Sequence, residues 1–399
     1  MALTLLRPAQ PTMNCLRSPT TRAPKPGLTR QQCEAFTQNL RAWYRVHARV
    51  LPWRGVRDPY RTWISEIMLQ QTRVNAVIDH YARFMTRFPT VVSLALAPEE
   101  EVLALWSGLG YYRRARMLHR TAKLLVEEHG GVLPSTAVEL RRLPGIGAYT
   151  SAAIASIAFG EPVAVVDGNV ERVLLRVTGR PETPGAAAAE FINVTAQALV
   201  PKTNAGDHNQ AMMELGATVC LPRGPMCDQC PVYDECRTRG EHTTTPRTPM
   251  RSQRVRYALT TRKAEDGLAV EVLLQRRPAE ASLMAGMLEL PQLEHAGEAD
   301  GALVLTEEPV LRVRHAIVGT NYYVEVMGVP QRRVAAKLAL RADSMEWVLT
   351  SELANQPITG LTRKVLQRLR LMKSTVAVGK QEMPLLIGRG GKATTGDEA

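Results

Sequence analysis

Leu143-Pro144-Gly145-Ile146-Gly147 is the stretch from which the fold can be read. Just before it, Thr136-Ala137-Val138-Glu139 has the spacing of a capping box and predicts a helix start. Just after it, Ala148–Phe159 is built of small residues and predicts a second, tightly packed helix. The motif is helix, glycine hairpin, helix. The glycines let another backbone come close, and the second helix opens with N–H groups that have no partner inside it. A phosphate satisfies such groups. A Gly-x-Gly turn alone is only a turn; the Leu-Pro before it and the small-residue helix after it point to a DNA-phosphate hairpin at Gly145 and Gly147.

Some twenty residues on, Val165-Val166-Asp167-Gly168-Asn169-Val170 puts a carboxylate at a helix start. Asp167 reads as an N-cap. A carboxylate held there stays ionised and can also stabilise a cationic sugar, so the two readings are compatible. Upstream, Trp63-Ile64-Ser65-Glu66-Ile67-Met68-Leu69-Gln70-Gln71-Thr72 carries Glu66 inside an apolar helical stretch. Either desolvation raises its pKa and keeps a proton available, or it is a structural acid paired with Arg61 or Arg73. Together Glu66 and Asp167 are a prospective acid and a prospective anion, the logic of glycosidic cleavage through an oxocarbenium-like state. Finally, Cys220, Cys227, Cys230 and Cys236 are packed into one short segment, while Cys15 and Cys33 stand alone. Such clustering argues for a metal site in a reducing compartment and against a disulfide framework. Four thiolates could hold zinc or an iron–sulfur cluster, and spacing alone does not decide.

The rest of the chain supplies the context. Its 399 residues are too many for one ordinary core, and 45% hydrophobic content is ample for two. The net charge of +12 suits a polyanion, because each Lys or Arg near a phosphate releases a counterion; solubility alone is the other account. No apolar run approaches the roughly 20 residues of a membrane span, so no membrane partner is expected. Helical spacing covers Phe36–Val46, Pro59–Arg87 (with more than one element or a bend), Pro98–Trp106, Arg113–Glu128 and Asn169–Thr178, and runs on to the cysteines. Arg237–Arg256 is polar and reads as a linker. Beyond it, Tyr257–Thr261 and Val270–Leu274 flank Glu265-Asp266-Gly267 as a hairpin. Val310–Val318 and Tyr322–Val329 form another strand pair, and Leu361–Leu371 a basic amphipathic helix. The expected organisation is a basic disordered tail (1–28), a mostly α domain (29–236), a linker (237–256), an α+β domain (257–374) and a second disordered tail (375–399). Arg7, Arg17, Arg22, Lys25 and Arg30 precede the first acid, Glu34, which fits a transit peptide, a basic tail or a misplaced start. A cytoplasmic, nucleoid location is the expectation for a bacterial protein.

In this order the four motifs resemble the helix–hairpin–helix DNA glycosylases with an iron–sulfur cluster, and within them the A/G-specific adenine glycosylase (MutY) family. The specific markers are Leu51-Pro52-Trp53-Arg54, Ser65–Thr72, Gly108-Leu109-Gly110-Tyr111-Tyr112, Val166-Asp167-Gly168-Asn169 and Asn209–Gly216. The resemblance is dense from about Phe36 to Cys236 and thinner to about Arg370. It implies a [4Fe–4S] cluster on Cys220, Cys227, Cys230 and Cys236, with Leu221–Pro225 as a basic loop. It implies that Glu66 protonates the adenine ring, and that Asp167 stabilises or bonds to the sugar cation before water arrives, with Asn169 and Tyr149 assisting. Trp53, Arg54, Gln70, Gln71, Gln210 and Met213 would contact an adenine flipped out of the duplex. Leu69 and Tyr111 would wedge the stack; core packing is the alternative for Leu69 and Met213.

Endonuclease III-type relatives carry a nucleophilic Lys where this chain has Tyr149, and Tyr cannot form a Schiff base. A monofunctional glycosylase is therefore expected. The α+β domain resembles the Nudix-like domain that reads 8-oxoguanine in this family, on Leu273–Arg277 and Met287–Pro291. Leu293–Thr306 lacks the Arg-Glu-x-x-Glu-Glu pattern, so binding is expected and not pyrophosphate hydrolysis. His315 in Val313-Arg314-His315 stands where the family reads the lesion with Phe-Ser-His, or is an ordinary strand histidine. The expected activity is removal of adenine opposite 8-oxoguanine or guanine in double-stranded DNA, by a monomer. The alternatives are an oxidised-pyrimidine glycosylase/lyase and a non-catalytic lesion-binding protein.

Overall fold

The computed structural model describes residues 27–244, 249–265, 267–293, 308–317, 319–331 and 344–373. The expected tails (all but 27 and 28 of the first, and 375–399), Cys15, Asp266 and nearly all of the stretch tested for a Nudix pattern lie outside the described residues. The chain divides into two compact units. One combines residues up to 49 with 155–246; the other combines 50–154 with those from 247 onward. The helices of 50–154 thus share a unit with the strands, a grouping that cuts across the boundary expected at 236.

The first unit holds helices α1 (Arg30–His47), α9 (Gly168–Thr178), α10 (Ala186–Leu199) and α11 (Ala205–Thr218), followed by the cysteine segment. Thr29 caps α1 in a full capping box with Gln32. Phe36, Leu40, Leu174, Phe191, Met212 and Leu215 close its core. Asn209 is the polar pin of this core: it accepts from Val165 N (3.2 Å) and donates to Val163 O (2.8 Å) and Ser156 Oγ (2.9 Å). It thereby holds the segment that leads into Asp167.

His208, its neighbour, is buried, and its Nδ1 has no partner among the described residues. Burial, with Arg41 assisting, pulls its pKa from the usual 6.5 to about 4. The unfolded chain therefore binds a proton that the folded chain refuses. The stability this represents is complete above pH 6.5 and is lost as pH falls toward 4, by about 3 kcal/mol at roughly 1.4 kcal/mol per pH unit. Urea titrations at pH 5 and pH 8 should differ more for the wild type than for His208→Leu; equal differences would refute the assignment.

The second unit contains α2 (Pro59–Leu69), α3 (Val74–Arg87), α4 (Val91–Ala95), α5 (Glu99–Trp106), α6 (Arg113–His129) and α7 (Ala137–Leu140). Helix α8 (Ala148–Ala158) follows the glycine hairpin and runs across the division between the units. Trp63, Phe84, Phe88, Trp106 and Leu118 are fully buried among these helices. Two sheets follow. The first has the order β5-β1-β7-β6, from β1 (Arg251–Leu259), β5 (Gln292–Leu293), β6 (Leu311–Ile317) and β7 (Thr320–Gly328). The second orders β2 (Thr261–Lys263), β3 (Val270–Arg276) and β4 (Leu288–Glu289), with β8 (Met345–Leu349) also on β3. Helix α12 (Gly360–Arg368) completes the unit. Val255, Val272, Val313, Val324 and Leu366 share the core between them.

Two readings change here. Residues 251–256, expected in the linker, begin β1, which pairs in parallel with β7 along nine residues. Its first four side chains are polar and exposed, so composition alone resembled a linker. The strand expected at Tyr257–Thr261 is likewise divided: β1 ends at Leu259 in one sheet, and β2 pairs with β3 in the other. The polarity of Thr260, which is buried, gave no sign of this switch.

Candidate active site

Helix α2 starts at Pro59, with Asp58 as its cap accepting from Arg61 N (3.1 Å). From Thr62 to Met68 every side chain is buried, and Glu66 is 5% exposed. Tyr149, in the first turn of α8, donates its hydroxyl to Glu66 Oε2 at 2.5 Å. Arg61, considered as a partner for Glu66, instead faces Asp58 at 3.7 Å. Gln70 donates to Thr150 Oγ1 (3.1 Å), so its amide is already engaged with α8. Trp53 is buried edge-on against Tyr81, ring centres 5.3 Å apart, and Arg54 is half-buried. Leu69 is half-buried at the end of α2, neither a core residue nor a fully exposed one.

Gln71 and Tyr111 are exposed and both have left-handed backbone, φ 56° and 50°. Neither residue type favours that region, which marks them as held there by their surroundings. What holds them is Arg114 on α6. Its guanidinium donates to Ile67 O (2.7 Å), Met68 O (3.1 Å) and Gln70 O (2.5 Å) at the end of α2. It also donates to Leu109 O (3.3 Å) and Gly110 O (3.2 Å) beside Tyr111. The glycine hairpin lies on the same side of α6. Thr121 Oγ1 donates to Pro144 O, and a Cβ on Gly145 (φ 75°) would sit 2.8 Å from Met117 Cβ. Gly145 and Gly147 are exposed while Ile146 is buried, so the hairpin is anchored by its isoleucine and presents its glycine backbone. A groove of about 1070 Å³ runs past Gln71, Tyr111, Gly145, Met284, His315 and Gln367. His315 lies within β6 opposite Tyr322, half-buried, with its pKa lowered by burial and by Lys364.

In the first unit Asp167 caps α9. Its Oδ1 accepts from Val170 N (2.8 Å) and its Oδ2 from Asn169 Nδ2 (2.9 Å). The orientation of the Asn169 amide is set by Arg172, whose Nη2 donates to Asn169 Oδ1 (2.9 Å). Arg172 is itself tied to Gly216 O (2.6 Å) and Cys220 O (2.8 Å). Gln210 accepts from the Tyr44 hydroxyl (3.1 Å), and Met213 is half-buried beside the core.

All four clustered cysteines line one small cavity with Val173, Arg176 and Met226. Among the described residues no group of three or more His, Cys, Asp or Glu is gathered as a site for a single ion. Burial, then the neighbouring cysteines, pushes the Cys230 thiol up to about 11 and Cys227 up as well. Four thiolates would therefore need positive charge among them. Arg176, 2% exposed, donates from Nη1 to Cys220 Sγ (3.3 Å) and Leu221 O (2.7 Å) and from Nη2 to Pro222 O (3.0 Å). Arg114, Arg172 and Arg176 were not singled out from the sequence. Arg176 had a signal, a lone cation within Val173-Leu174-Leu175-Arg176-Val177; Arg114 had none beside the adjacent Arg113.

These features are those of a helix–hairpin–helix fold. Residues 64–197 match the model of the HhH-GPD superfamily base excision DNA repair protein. Within that class the chain is similar to curated adenine DNA glycosylases. It is 48% identical over 231 residues to the adenine DNA glycosylase of Mus musculus, covering 54% of this chain and 45% of that one. The adenine DNA glycosylase of Homo sapiens is 49% identical over 215 residues, 51% of this chain and 39% of the relative. That of Buchnera aphidicola subsp. Baizongia pistaciae is 40% identical over 204 residues, 51% and 58%. The matched region thus spans about half the length of these curated relatives.

Proposed function

We propose that the protein is an adenine DNA glycosylase that hydrolyses the N-glycosidic bond of adenine opposite 8-oxoguanine or guanine. The observation that carries this is the buried Glu66 with the Tyr149 hydroxyl on its carboxylate. A buried carboxyl is suited to hold and deliver a proton to the adenine ring. At the position of Tyr149 a lyase would need an amine, and a phenol cannot form the Schiff base that cuts the strand. Asp167, held by Val170 N and Asn169, supplies the anion that stabilises the sugar cation. The exposed hairpin backbone at Gly145 and Gly147 takes a DNA phosphate, Leu69 and Tyr111 wedge the stack, and the flipped adenine is read by Trp53, Arg54, Gln71, Gln210 and Met213. The strands from Arg251 onward form a Nudix-like lesion-reading domain, with His315 on the groove wall as support.

The cysteine cavity fits a [4Fe–4S] cluster. Four cysteines lining one small cavity support a thiolate-held cluster. Cys220, Cys227, Cys230 and Cys236 would hold it, and when bound its iron would supply the positive charge that keeps the thiolates ionised. Arg176 orients Cys220 and fixes the loop that follows it.

The test is a single-turnover assay on duplexes with one A:8-oxoguanine pair, with and without alkali. Strand breaks that appear only after alkali are expected, with no borohydride-trapped adduct. Breaks without alkali plus a trapped adduct would instead identify a lyase; no breaks at all would leave a lesion-binding protein. The packing of Asn169 gives a second prediction. A Cβ on Gly216 would lie 2.6 Å from Asn169 Cβ and 2.9 Å from Asn169 O. Gly216→Ala must displace Asn169, and displacements near 1 Å cost up to about a hundredfold in rate. Excision should slow at least tenfold; a wild-type rate would mean that Asn169 does not matter for the chemistry.

A further inference from the structure

Ser107, buried at the end of α5, is tied to residues far along the chain. Its hydroxyl donates to Ile358 O (2.8 Å) and accepts from Arg363 Nε (2.8 Å). The Tyr112 hydroxyl donates to the same Ile358 O (3.1 Å). Arg363, on α12, is 6% exposed. Among the described residues no carboxylate pairs with it, its Nη2 has no partner, and its Nη1 reaches only Met372 Sδ (3.9 Å). Burying a guanidinium without a counter-ion is costly. A side chain retained under that cost, and directed at a single hydroxyl, calls for a reason beyond packing.

The loop that Ser107 opens runs to Tyr111. Trp106 Nε1 donates to Gly110 O (3.1 Å), and Arg114 donates to Leu109 O and Gly110 O. Arg114 is a second partly buried guanidinium without a carboxylate among its described partners; burial pulls its pKa down to about 10. It lies over the rings of Trp106 (5.5 Å) and Tyr111 (5.4 Å) and binds the last carbonyls of the helix that carries Glu66. Two sets of hydrogen bonds, joined by the backbone of residues 107–112, thus link α12 to α2. Gln71 and Tyr111, in their left-handed conformations, flank the Arg114 clamp.

We propose that Arg363 and Ser107 are positioning residues for lesion preference. They transmit the seating of the lesion strand on the residues from 249 onward, through the 107–112 loop and Arg114, to Tyr111 and the Glu66 helix. This rests on the adenine-glycosylase reading above. A continuous chain of contacts is a route for coupling only if perturbing its ends changes the coupling. The experiment compares full-length wild type, Ser107→Ala, Arg363→Met and the double variant. Single-turnover rates are measured on A:8-oxoguanine and A:G duplexes. Dissociation constants are measured for the same pairs made with a non-hydrolysable adenosine analogue.

Couplings between sites are typically about 5- to 150-fold. Each single variant should lose about tenfold of the rate advantage on A:8-oxoguanine, while the A:G rate stays within about twofold. The double variant should lose no more than the larger single effect, because both residues lie on one route. Ser107→Ala removes one oxygen atom and keeps the test open if Arg363→Met does not fold. Equal losses on both substrates would show a merely structural role and overturn the proposal, as would an unchanged preference. If wild type excises no adenine, the function reading fails separately. The ratio of the two dissociation constants then decides this proposal: a smaller preference for 8-oxoguanine in the variants supports it, and an unchanged ratio refutes it.

Discussion

Glu66→Gln should slow adenine excision by about a hundredfold to ten-thousandfold, the range general acid catalysis contributes, and leave the fold intact. The two side chains have nearly the same shape, and the amide oxygen still accepts from the Tyr149 hydroxyl that now lies 2.5 Å from the carboxylate. Packing between Thr62 and Met68 is therefore retained. What is lost is the acidic proton: an amide can form a hydrogen bond to an adenine ring nitrogen but cannot protonate it. Binding to A:8-oxoguanine duplexes should stay within a few-fold of wild type, so that the loss falls on the chemical step. Tyr149→Phe provides the contrast. It removes one hydrogen bond from Glu66 and keeps the carboxyl, so a loss of about tenfold is expected, as for a charge-assisted hydrogen bond. A Glu66→Gln protein that excises adenine at the wild-type single-turnover rate would show that the acid is elsewhere.

The candidate chemistry-bearing residues stood out in the sequence by their types and spacing. Four clustered cysteines have few other uses; a glycine hairpin, a carboxylate at a helix start and a carboxylate inside an apolar helix each have an ordinary structural use and gain meaning from standing together. The structure places Gly145 in a left-handed conformation against Met117, buries Glu66 and caps α9 with Asp167. The residues that orient these groups were not legible. Arg114, Arg172 and Arg363 act through carbonyl and hydroxyl oxygens contributed by distant segments, and a sequence does not show which carbonyls will meet. Gln70 illustrates the same limit: its type suits a base contact, and nothing in it announces the bond its Nε2 donates to Thr150. The helical half was read well because amphipathic periodicity persists over many residues. The strands were read less well, because the outward face of β1 is arginine-rich and the switch between sheets occurs at one buried threonine.

Asp167→Asn should reduce excision by about a hundredfold to a thousandfold, the usual cost of removing one group that stabilises developing charge, and leave stability nearly unchanged. Asn is as good an N-cap as Asp, so the bond from Val170 N survives. The negative charge does not. Asn169 now donates to Asp167 Oδ2 at 2.9 Å, and it would instead face an amide able to donate in return. Melting within a few degrees of wild type, together with a collapsed rate, would separate charge from scaffold. A wild-type rate would remove Asp167 from the mechanism. The double variant Glu66→Gln/Asp167→Asn then asks whether the two carboxylates serve one event. If one protonates adenine while the other stabilises the sugar cation in the same transition state, their effects are not independent, and the double variant should be hardly slower than the slower single. Fully multiplicative losses would mean that the two carboxylates contribute independently of each other, without the cooperation proposed for this protein.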